Sequence, residues 1–142
     1  MERLVINKGF KEYQINDDEN AVIRISTTDF GLIDRLTAID KKIKGIVNDL
    51  EKMTKSDDDE AIKAALREAD EKTKQEIDNV FGVGISAAVF GDMNCLSFAG
   101  GQPIALNFID AIAPKIKADL DKEQRASEKR IKKYTEAAKA FK

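Results

Sequence analysis

The sequence predicts an α+β fold that is predominantly helical, with a small N-terminal antiparallel β-sheet followed by a helical bundle and a long C-terminal helix. Two observations lead to this prediction. Residues 4–26 consist of short runs of bulky apolar side chains separated by Asn, Asp and Gly, which is typical of strands joined by turns. Beyond residue 30, apolar side chains recur every three or four positions, which is the spacing of an amphipathic helix.

Three strands are expected in the N-terminal region. A tight turn at residues 7–9, with the sequence Asn-Lys-Gly, is expected to join residues 4–6 to residues 10–15 in a β-hairpin. After a polar loop, the alternating apolar side chains of residues 21–26 predict a third strand. Three strands are the smallest number that usually forms a stable sheet.

A long amphipathic helix is expected next. Residues 27–29, Thr-Thr-Asp, are good N-terminal caps, and the apolar residues after them recur at alternating steps of four and three. This seam consists of Leu32, Leu36, Ile39, Ile43, Ile46, Leu50 and Met53. Ile33 and Val47 widen it, which favours packing into a globular core over a two-stranded coiled coil. Gly45 lies within the pattern and is a candidate for a close crossing with another helix.

A second helix is expected to begin after Ser56. The four carboxylates of residues 57–60 then lie in its first turn, where the helix dipole favours negative charge. The apolar stripe of this helix is thinner than that of the first and consists of Ile62, Ala65, Leu66, Ala69, Ile77 and Val80. The acidic cluster lacks the alternating ligands and central glycine of a calcium loop, so no metal site is predicted.

Residues 80–109 carry a single formal charge, Asp92, although 35% of the whole chain is charged. Five glycines divide this segment: Gly82, Gly84, Gly91, Gly100 and Gly101. It cannot form one helix, because each internal glycine costs about 1 kcal/mol relative to alanine. One or two helical turns are expected at residues 85–90. Such an apolar segment either folds into the core or covers a partner.

The last helix is expected to begin at Pro103 and to bend or restart at Pro114, because an internal proline removes a helical hydrogen bond. Its apolar face thins beyond Leu120. The final 20 residues are therefore expected to project into solvent, unless a partner covers their three large apolar side chains. These side chains are Ile131, Tyr134 and Phe141.

The charge of the chain is polarised along its length. Residues 115–142 contain ten Lys or Arg and five Asp or Glu, a net charge of +5, and the other 114 residues contain 14 basic and 21 acidic residues, a net charge of −7. We therefore divide the chain into an α+β globular domain, residues 1–114, and a basic C-terminal helical extension, residues 115–142. The acidic residues interspersed in the extension argue against nucleic acid as its partner. The alternatives are a solvated face, or an arm that docks on an acidic protein, which includes the acidic remainder of this chain in a neighbouring subunit.

The residue types that most catalytic and metal sites require are missing. The chain has no histidine, so Ser86 and the single cysteine, Cys95, have no imidazole to activate them. The glycines at 82–84 and 100–101 lack the spacing and the Lys-Ser/Thr of a phosphate-binding loop. The sequence therefore predicts a protein that is not an enzyme and that has no catalytic residues, metal site or cofactor.

A cytoplasmic location without a membrane partner is expected. The N-terminus lacks the apolar region and cleavage site of a secretion signal, and no apolar run reaches the roughly 20 residues that span a bilayer. A single cysteine also excludes an internal disulfide bond, as is usual in a reducing compartment.

Two Phe-Gly pairs, Phe81-Gly82 and Phe90-Gly91, lie nine residues apart. The N-terminal layout accompanies them: a β segment through Tyr13, an Asn-Asp-Asp loop at 16–18, and a strand that ends in the Ser-Thr-Thr-Asp-Phe of residues 26–30 before a long helix. Together these features resemble small tail assembly chaperone-like proteins of tailed bacteriophages over most of the chain. The chain departs from that pattern in the apolar residues between the pairs and in a longer apolar link at 95–103.

This resemblance implies a non-enzymatic chaperone that binds and solubilises the helical tape measure protein while the tail tube polymerises around it. It also implies a location in the bacterial host cytoplasm and absence from the mature virion. Proteins of this type are often made in a second, longer form by ribosomal frameshifting.

The candidate partner-binding residues are those of the glycine-rich segment, where large side chains between glycines suit an adaptable groove for a helix. They are Phe81, Gly82, Phe90, Gly91, Leu96 and Phe98. The alternative is that the four large side chains fill the core of this domain. Under the partner-binding interpretation, Phe90→Ala weakens client binding more than it destabilises the fold; equal losses would place Phe90 in the core.

Homo-oligomerisation is expected as well, because self-association along a client would bury the same surface. Two other functions remain open at this point. One is a helical homo-oligomeric structural or adaptor protein of the virion, held together by the seam of residues 32–53. The other is a weak nucleic-acid-binding regulator that uses the C-terminal helix.

Overall fold

The computed structural model describes residues 1–140, with the backbone alone for Tyr134 and residues 137–140, so the predicted roles of the Tyr134 side chain and of Phe141 lie outside the described residues. Its elements, in chain order, are β1 (Phe10–Ile15), β2 (Asp18–Ser26), α1 (Phe30–Met53), α2 (Asp59–Phe81), α3 (Ile85–Phe90), β3 (Phe98–Ala99), β4 (Gln102–Pro103) and α4 (Ile104–Ala140). The predicted class, α+β and predominantly helical with a small N-terminal antiparallel sheet and a long C-terminal helix, is confirmed.

The N-terminal sheet has two strands, so the prediction of three is wrong. β1 pairs with β2 in antiparallel register, with Tyr13 opposite Ile23, and the two-residue turn between them lies at residues 16–17. Asn16 adopts a φ of +52°, a left-handed conformation that asparagine tolerates better than most residues. Residues 4–6 form no strand, and their large apolar side chains are exposed.

Residues 7–9 do not form the predicted hairpin turn. The Asn7 side-chain carbonyl accepts a hydrogen bond from the backbone N–H of Gly9 at 3.0 Å, and the Ser26 hydroxyl donates to the Lys8 carbonyl at 2.6 Å. Gly9 has a φ of +75°, and a Cβ at this position would collide with the Thr28 hydroxyl. The glycine is therefore needed for the close approach of the chain to Thr28.

The two long helices begin at side-chain caps. The Asp29 carboxylate accepts from Gly31 N at 2.9 Å and starts α1, as predicted. The cap of α2 is Asp58, whose carboxylate accepts from two backbone N–H groups, and not Ser56. The predicted close crossing at Gly45 is wrong, because Gly45 is exposed and a Cβ there would meet open space.

The core lies where β2 and all four helices meet. Buried side chains from α1, such as Leu32, Ile39 and Ile43, pack with Ile77 of α2 and with the first half of α4. The short hairpin of β3 and β4 precedes α4, and α4 continues through Pro114 as a single helix. Proline therefore does not restart the helix.

The packed part of α4 extends beyond residue 114, where the sequence predicted the end of the globular domain. Ile116 and Asp119 are buried and Leu120 is half-buried. All described side chains of residues 121–136 are exposed. The described side chains beyond Leu120 thus lie outside the core, as the thinning of the apolar pattern predicted.

Candidate partner-binding surface

The structure divides the six predicted partner-binding residues between the interior and the surface. Phe81, Phe90 and Leu96 are buried. The ring centroid of Phe108 lies 5.2 Å from that of Phe81 and 6.2 Å from that of Phe90, and both pairs meet edge to face, a favourable arrangement for aromatic rings. These three side chains therefore fill the core of this domain and present no surface to a partner in this conformation.

The other three predicted residues are exposed. Gly82 ends α2 and Gly91 ends α3, and both have positive φ, so their structural role is to terminate helices. Phe98 lies in β3 and is 63% exposed. Of the four large side chains that were predicted to anchor a partner, Phe98 alone is accessible.

Two carboxylates of α2 hold the glycine-rich segment against the core. Asp78 accepts a hydrogen bond from the backbone N–H of Ser86 at 2.8 Å, and Asp70 accepts one from the backbone N–H of Cys95 at 2.8 Å. These contacts satisfy N–H groups that burial would otherwise leave without a partner. In the sequence, each of these two residues looks like an ordinary charge on the polar face of a helix.

Cys95 is buried beside Asp70. Burial, and secondarily the hydrogen bond with Asp70, raise the pKa of the Cys95 thiol to about 12. The thiol is therefore protonated at neutral pH, and a protonated thiol is a poor nucleophile. The structure gives Cys95 a packing role, as its apolar neighbours in the sequence indicated.

A large open concavity lies away from the glycine-rich segment. It is a groove of about 900 Å³ between the start of α1 and the middle of α4. We call it the α1–α4 groove. Its α1 side consists of Thr28, Phe30, Ile33, Leu36 and Thr37, and its α4 side of Ala113, Ile116, Lys117, Leu120, Asp121, Glu123, Gln124, Ser127 and Glu128.

The α1–α4 groove combines an apolar floor with an exposed apolar edge. Ile116 is buried at the floor, and Leu36 and Leu120 are half-buried. Along the α1 edge, Phe30 is 80% exposed and Ile33 is 47% exposed. Large apolar side chains that remain exposed beside a concavity are typical of protein-interaction sites. Two helices that flank an open groove can accept a third helix against both of them.

The charged residues of the groove are mostly acidic. Asp121, Glu123 and Glu128 lie on its α4 side together with a single cation, Lys117. The surface therefore complements a helix that carries an apolar stripe flanked by Lys or Arg.

The exposed edge follows from the position at which α1 begins. Because Asp29 caps the helix, Phe30, Ile33 and Thr37 occupy positions i, i+3 and i+7 and share one face. This face lies beside the buried seam that contains Leu32 and Ile39. Ile33 was visible in the sequence as an addition to the seam. The other half of the groove, on α4, was not.

A buried carboxylate next to the groove holds three elements together. Asp119 of α4 accepts hydrogen bonds from Lys11 Nζ of β1 at 2.6 Å and from Thr27 Oγ1, just after β2, at 2.7 Å. The hydrogen bond from Lys11, and after it the one from Thr27, hold the pKa of Asp119 below its ordinary value. The bond between Lys11 and Asp119 also raises the pKa of Lys11. Since Thr28 and Leu120 line the groove, the Asp119 contacts position both of its walls.

Comparison with protein-family models, with curated proteins and with solved structures finds no match to the chain. The described helices include none that is both long and apolar enough to cross a bilayer. Within residues 1–140 no three His, Cys, Asp or Glu side chains come together as a group that could hold a metal ion.

Proposed function

We propose that this protein is a non-enzymatic tail assembly chaperone of a bacteriophage, which binds the helical tape measure protein and keeps it soluble during tail morphogenesis. In this proposal it acts in the cytoplasm of the bacterial host and is absent from the mature virion. The observation that carries the proposal is the α1–α4 groove, whose apolar floor and exposed Phe30 and Ile33 fit an amphipathic helix. The resemblance in the sequence supplies the identity of the client.

The affinity expected of such a groove suits a chaperone. Each fully buried Leu, Ile or Phe side chain of a client contributes about 1.5–3 kcal/mol, so four anchors contribute about 6–12 kcal/mol. Association and side-chain ordering offset at least about 4 kcal/mol of this. The remainder corresponds to micromolar or weaker binding for a single groove. A client held this weakly can be released when the tail tube assembles around it.

The groove contains no arrangement that favours catalysis. Its ionisable groups are exposed on α4 and consist of Lys117, Asp121, Glu123 and Glu128. Asp119 is buried next to the groove, and its carboxylate accepts hydrogen bonds from Lys11 and Thr27. A binding function is therefore the simplest use of this surface.

Replacement of Ile33 by Asp tests the proposal. The chain is co-expressed with the product of the long coding region that follows its gene, and the amount of that product that co-purifies is measured. Ile33→Asp is expected to reduce recovery about tenfold or more, because a charge would enter an apolar contact.

Val22→Asp is the matched control, since Val22 has the same 47% exposure as Ile33 but lies in β2 outside the groove. This variant is expected to retain the client. Thermal unfolding of both variants shows whether each remains folded. Equal recovery with Ile33→Asp and with the unchanged chain would exclude the groove as the client site.

The alternative function is a helical homo-oligomeric structural or adaptor protein of the virion. The α1 seam on which that hypothesis was first based packs largely inside the domain, where Leu32, Ile39 and Ile43 are buried. The observation that favours it now is the exposed end of α4. Detection of the chain in purified particles, at a constant ratio to the tail proteins, would favour the adaptor over the chaperone.

A further inference from the structure

The second half of α4 is a long helical segment that lies outside the core over its described side chains. The helix continues to Ala140, yet every described side chain of residues 121–136 is exposed. Isolated helices of this length are marginally stable in water, and packing against another surface is what usually stabilises them. Ile131, with 63% of its surface exposed, lies in the middle of this region.

Ile131 continues the line of the α1–α4 groove. It follows Leu120 by eleven residues, which is three helical turns, so the two side chains lie on the same face of α4. Leu120 is covered in part by the globular domain, whereas Ile131 lies beyond the last α4 residue that lines the groove, Glu128. On this face, Leu120 therefore lies inside the groove and Ile131 lies outside it.

The charges of α4 would pair with opposite charges if a second copy of the same helix lay antiparallel to it. We compare residues at equal distances on either side of the bond between Ala126 and Ser127. Four such pairs between positions 117 and 136 have two charged members, and each pair joins opposite signs: Lys117 with Glu136, Asp121 with Lys132, Glu123 with Arg130, and Arg125 with Glu128. No pair joins like charges. An antiparallel partner with this same sequence would meet opposite charge at every one of these positions.

We propose that two copies of this chain pair through α4 in antiparallel orientation, so that the end of α4 from each copy lies in the α1–α4 groove of the other. Ile131 of the second copy then lies beside Leu120 and the exposed edge of Phe30 and Ile33. Asp121 and Glu123, which line the groove on α4, face the basic residues around that Ile131. The arrangement is isologous, so each favourable contact occurs twice.

The order of charges selects an antiparallel second copy over a parallel one. In a parallel pair the acidic positions 119–123 of both copies would lie side by side, as would the basic positions 129–133. Asp121 and Lys132 form no ion pair with another described residue, so both are available for the contact. Single exposed ion pairs are weak, and the apolar contact of Ile131 in the groove is therefore the necessary second component.

This pairing does not rest on the proposed function and needs no client. It has a consequence for that function, because a second copy would cover the apolar groove until a client helix displaces it. The surface would then not be left exposed to unrelated proteins.

Charge reversal tests the pairing in the purified full-length chain. The dissociation constant of the dimer is measured by sedimentation equilibrium for Asp121→Lys, for Lys132→Asp and for the double variant. Each single change places like charges together twice in the dimer and is expected to weaken it about tenfold or more, whereas the double variant restores opposite signs and is expected to return to within about threefold of the unchanged chain.

The apolar contact is tested by Ile131→Asp, with Val22→Asp as the control for the same chemical change on another exposed surface. Ile131→Asp is expected to give a monomer, and Val22→Asp is expected to leave the dimer intact. A monomeric unchanged chain, a double reversal that fails to restore pairing, or a dimer unaffected by Ile131→Asp would each overturn the inference. Co-purification of the client is expected to survive Ile131→Asp, so failure of the pairing and failure of the chaperone proposal give different results.

Discussion

Phe90 and Phe98 belong to the same glycine-rich segment, but their environments are opposite. Phe90 is 4% exposed and meets the Phe108 ring edge to face, whereas Phe98 is 63% exposed on a two-residue strand. The difference comes from α3, which places Phe90 towards the first half of α4. Local sequence is similar around the two phenylalanines, so it does not report which ring packs against another side chain inside the domain.

Alanine substitution at these two positions should therefore give unequal losses of stability. Phe90→Ala is expected to cost about 3–5 kcal/mol of unfolding free energy, because it removes a buried ring and leaves a cavity. Phe98→Ala is expected to cost less than about 1 kcal/mol, since most of the ring is already in water. Urea unfolding of both variants measures the difference. This reverses the expectation from the sequence, in which Phe90→Ala mainly weakens client binding. A loss of unfolding free energy for Phe90→Ala as small as that for Phe98→Ala would contradict the place of Phe90 in the core.

At the scale of elements, the contacts of Asp119 join parts of the chain that are distant in sequence. Lys11 of β1 and Thr27, at the junction of β2 and α1, both donate to this carboxylate of α4. Thr27 is fully buried, so its hydroxyl has no water to replace the carboxylate. The wall of the groove formed by α4 is thereby attached to the wall formed by α1.

Asp119→Ala is expected to lower the unfolding free energy by about 1–3 kcal/mol at neutral pH, because it leaves the Thr27 hydroxyl buried without an acceptor. The effect should depend on pH. The pKa of Asp119 is lower in the folded chain than its ordinary 3.8. The ionised carboxylate therefore stabilises the fold fully above pH 3.8, and this stabilisation is lost as the pH falls through the pKa of the folded chain. The difference between Asp119→Ala and the unchanged chain should therefore shrink in acid.

Urea unfolding at neutral pH and below pH 4 measures this change, with Asp92→Ala as the control. Asp92 is an exposed carboxylate outside the α1–α4 groove. Its replacement is expected to have little effect at either pH. A difference for Asp119→Ala that is the same at both pH values would show that its charge does not stabilise the fold.

Helices were easier to predict from this sequence than strands, for a physical reason. The start of α1 at Asp29, the turns at 85–90 and the ends at Gly82 and Gly91 depend on local caps and on apolar spacing, and the structure has them. Strand pairing depends on which of two adjacent turn signals forms the hairpin. The Asn-Lys-Gly turn at 7–9 was expected to do so, but Gly9 packs against Thr28 and the turn at 16–17 joins the strands.

The candidate site was predictable only in part. The sequence showed that Ile33 lay outside the regular seam of α1, but the groove exists because the start of α1 lies beside residues of α4 some 80 positions later. Periodicity within one helix does not report which helix packs beside it. The hydrogen bonds of Asp70, Asp78 and Asp119 could not be predicted either, because charged residues on helices are usually solvated and their partners here lie in other parts of the chain.

For the whole molecule, the charges of α4 are separated along the helix. Asp121, Glu123 and Glu128 make the α4 side of the groove acidic, whereas the exposed residues 129–133 contain four Lys or Arg and no acidic residue. Opposite charges on two surfaces of one chain favour contacts between copies and between the groove and a basic client helix. In the pairing proposed above, the basic end of α4 needs no nucleic acid as its partner.

The central claim is that the α1–α4 groove, and not the glycine-rich segment, receives the client helix. Site-specific photo-crosslinking in the co-expressing cell tests it most directly, with the crosslinking residue at position 33 in one variant and at position 98 in another. Both positions are exposed and lie on different surfaces of the chain. We expect position 33 to form a crosslink to the tape measure protein and position 98 to form none. Crosslinks from position 98 in the absence of any from position 33 would contradict the claim.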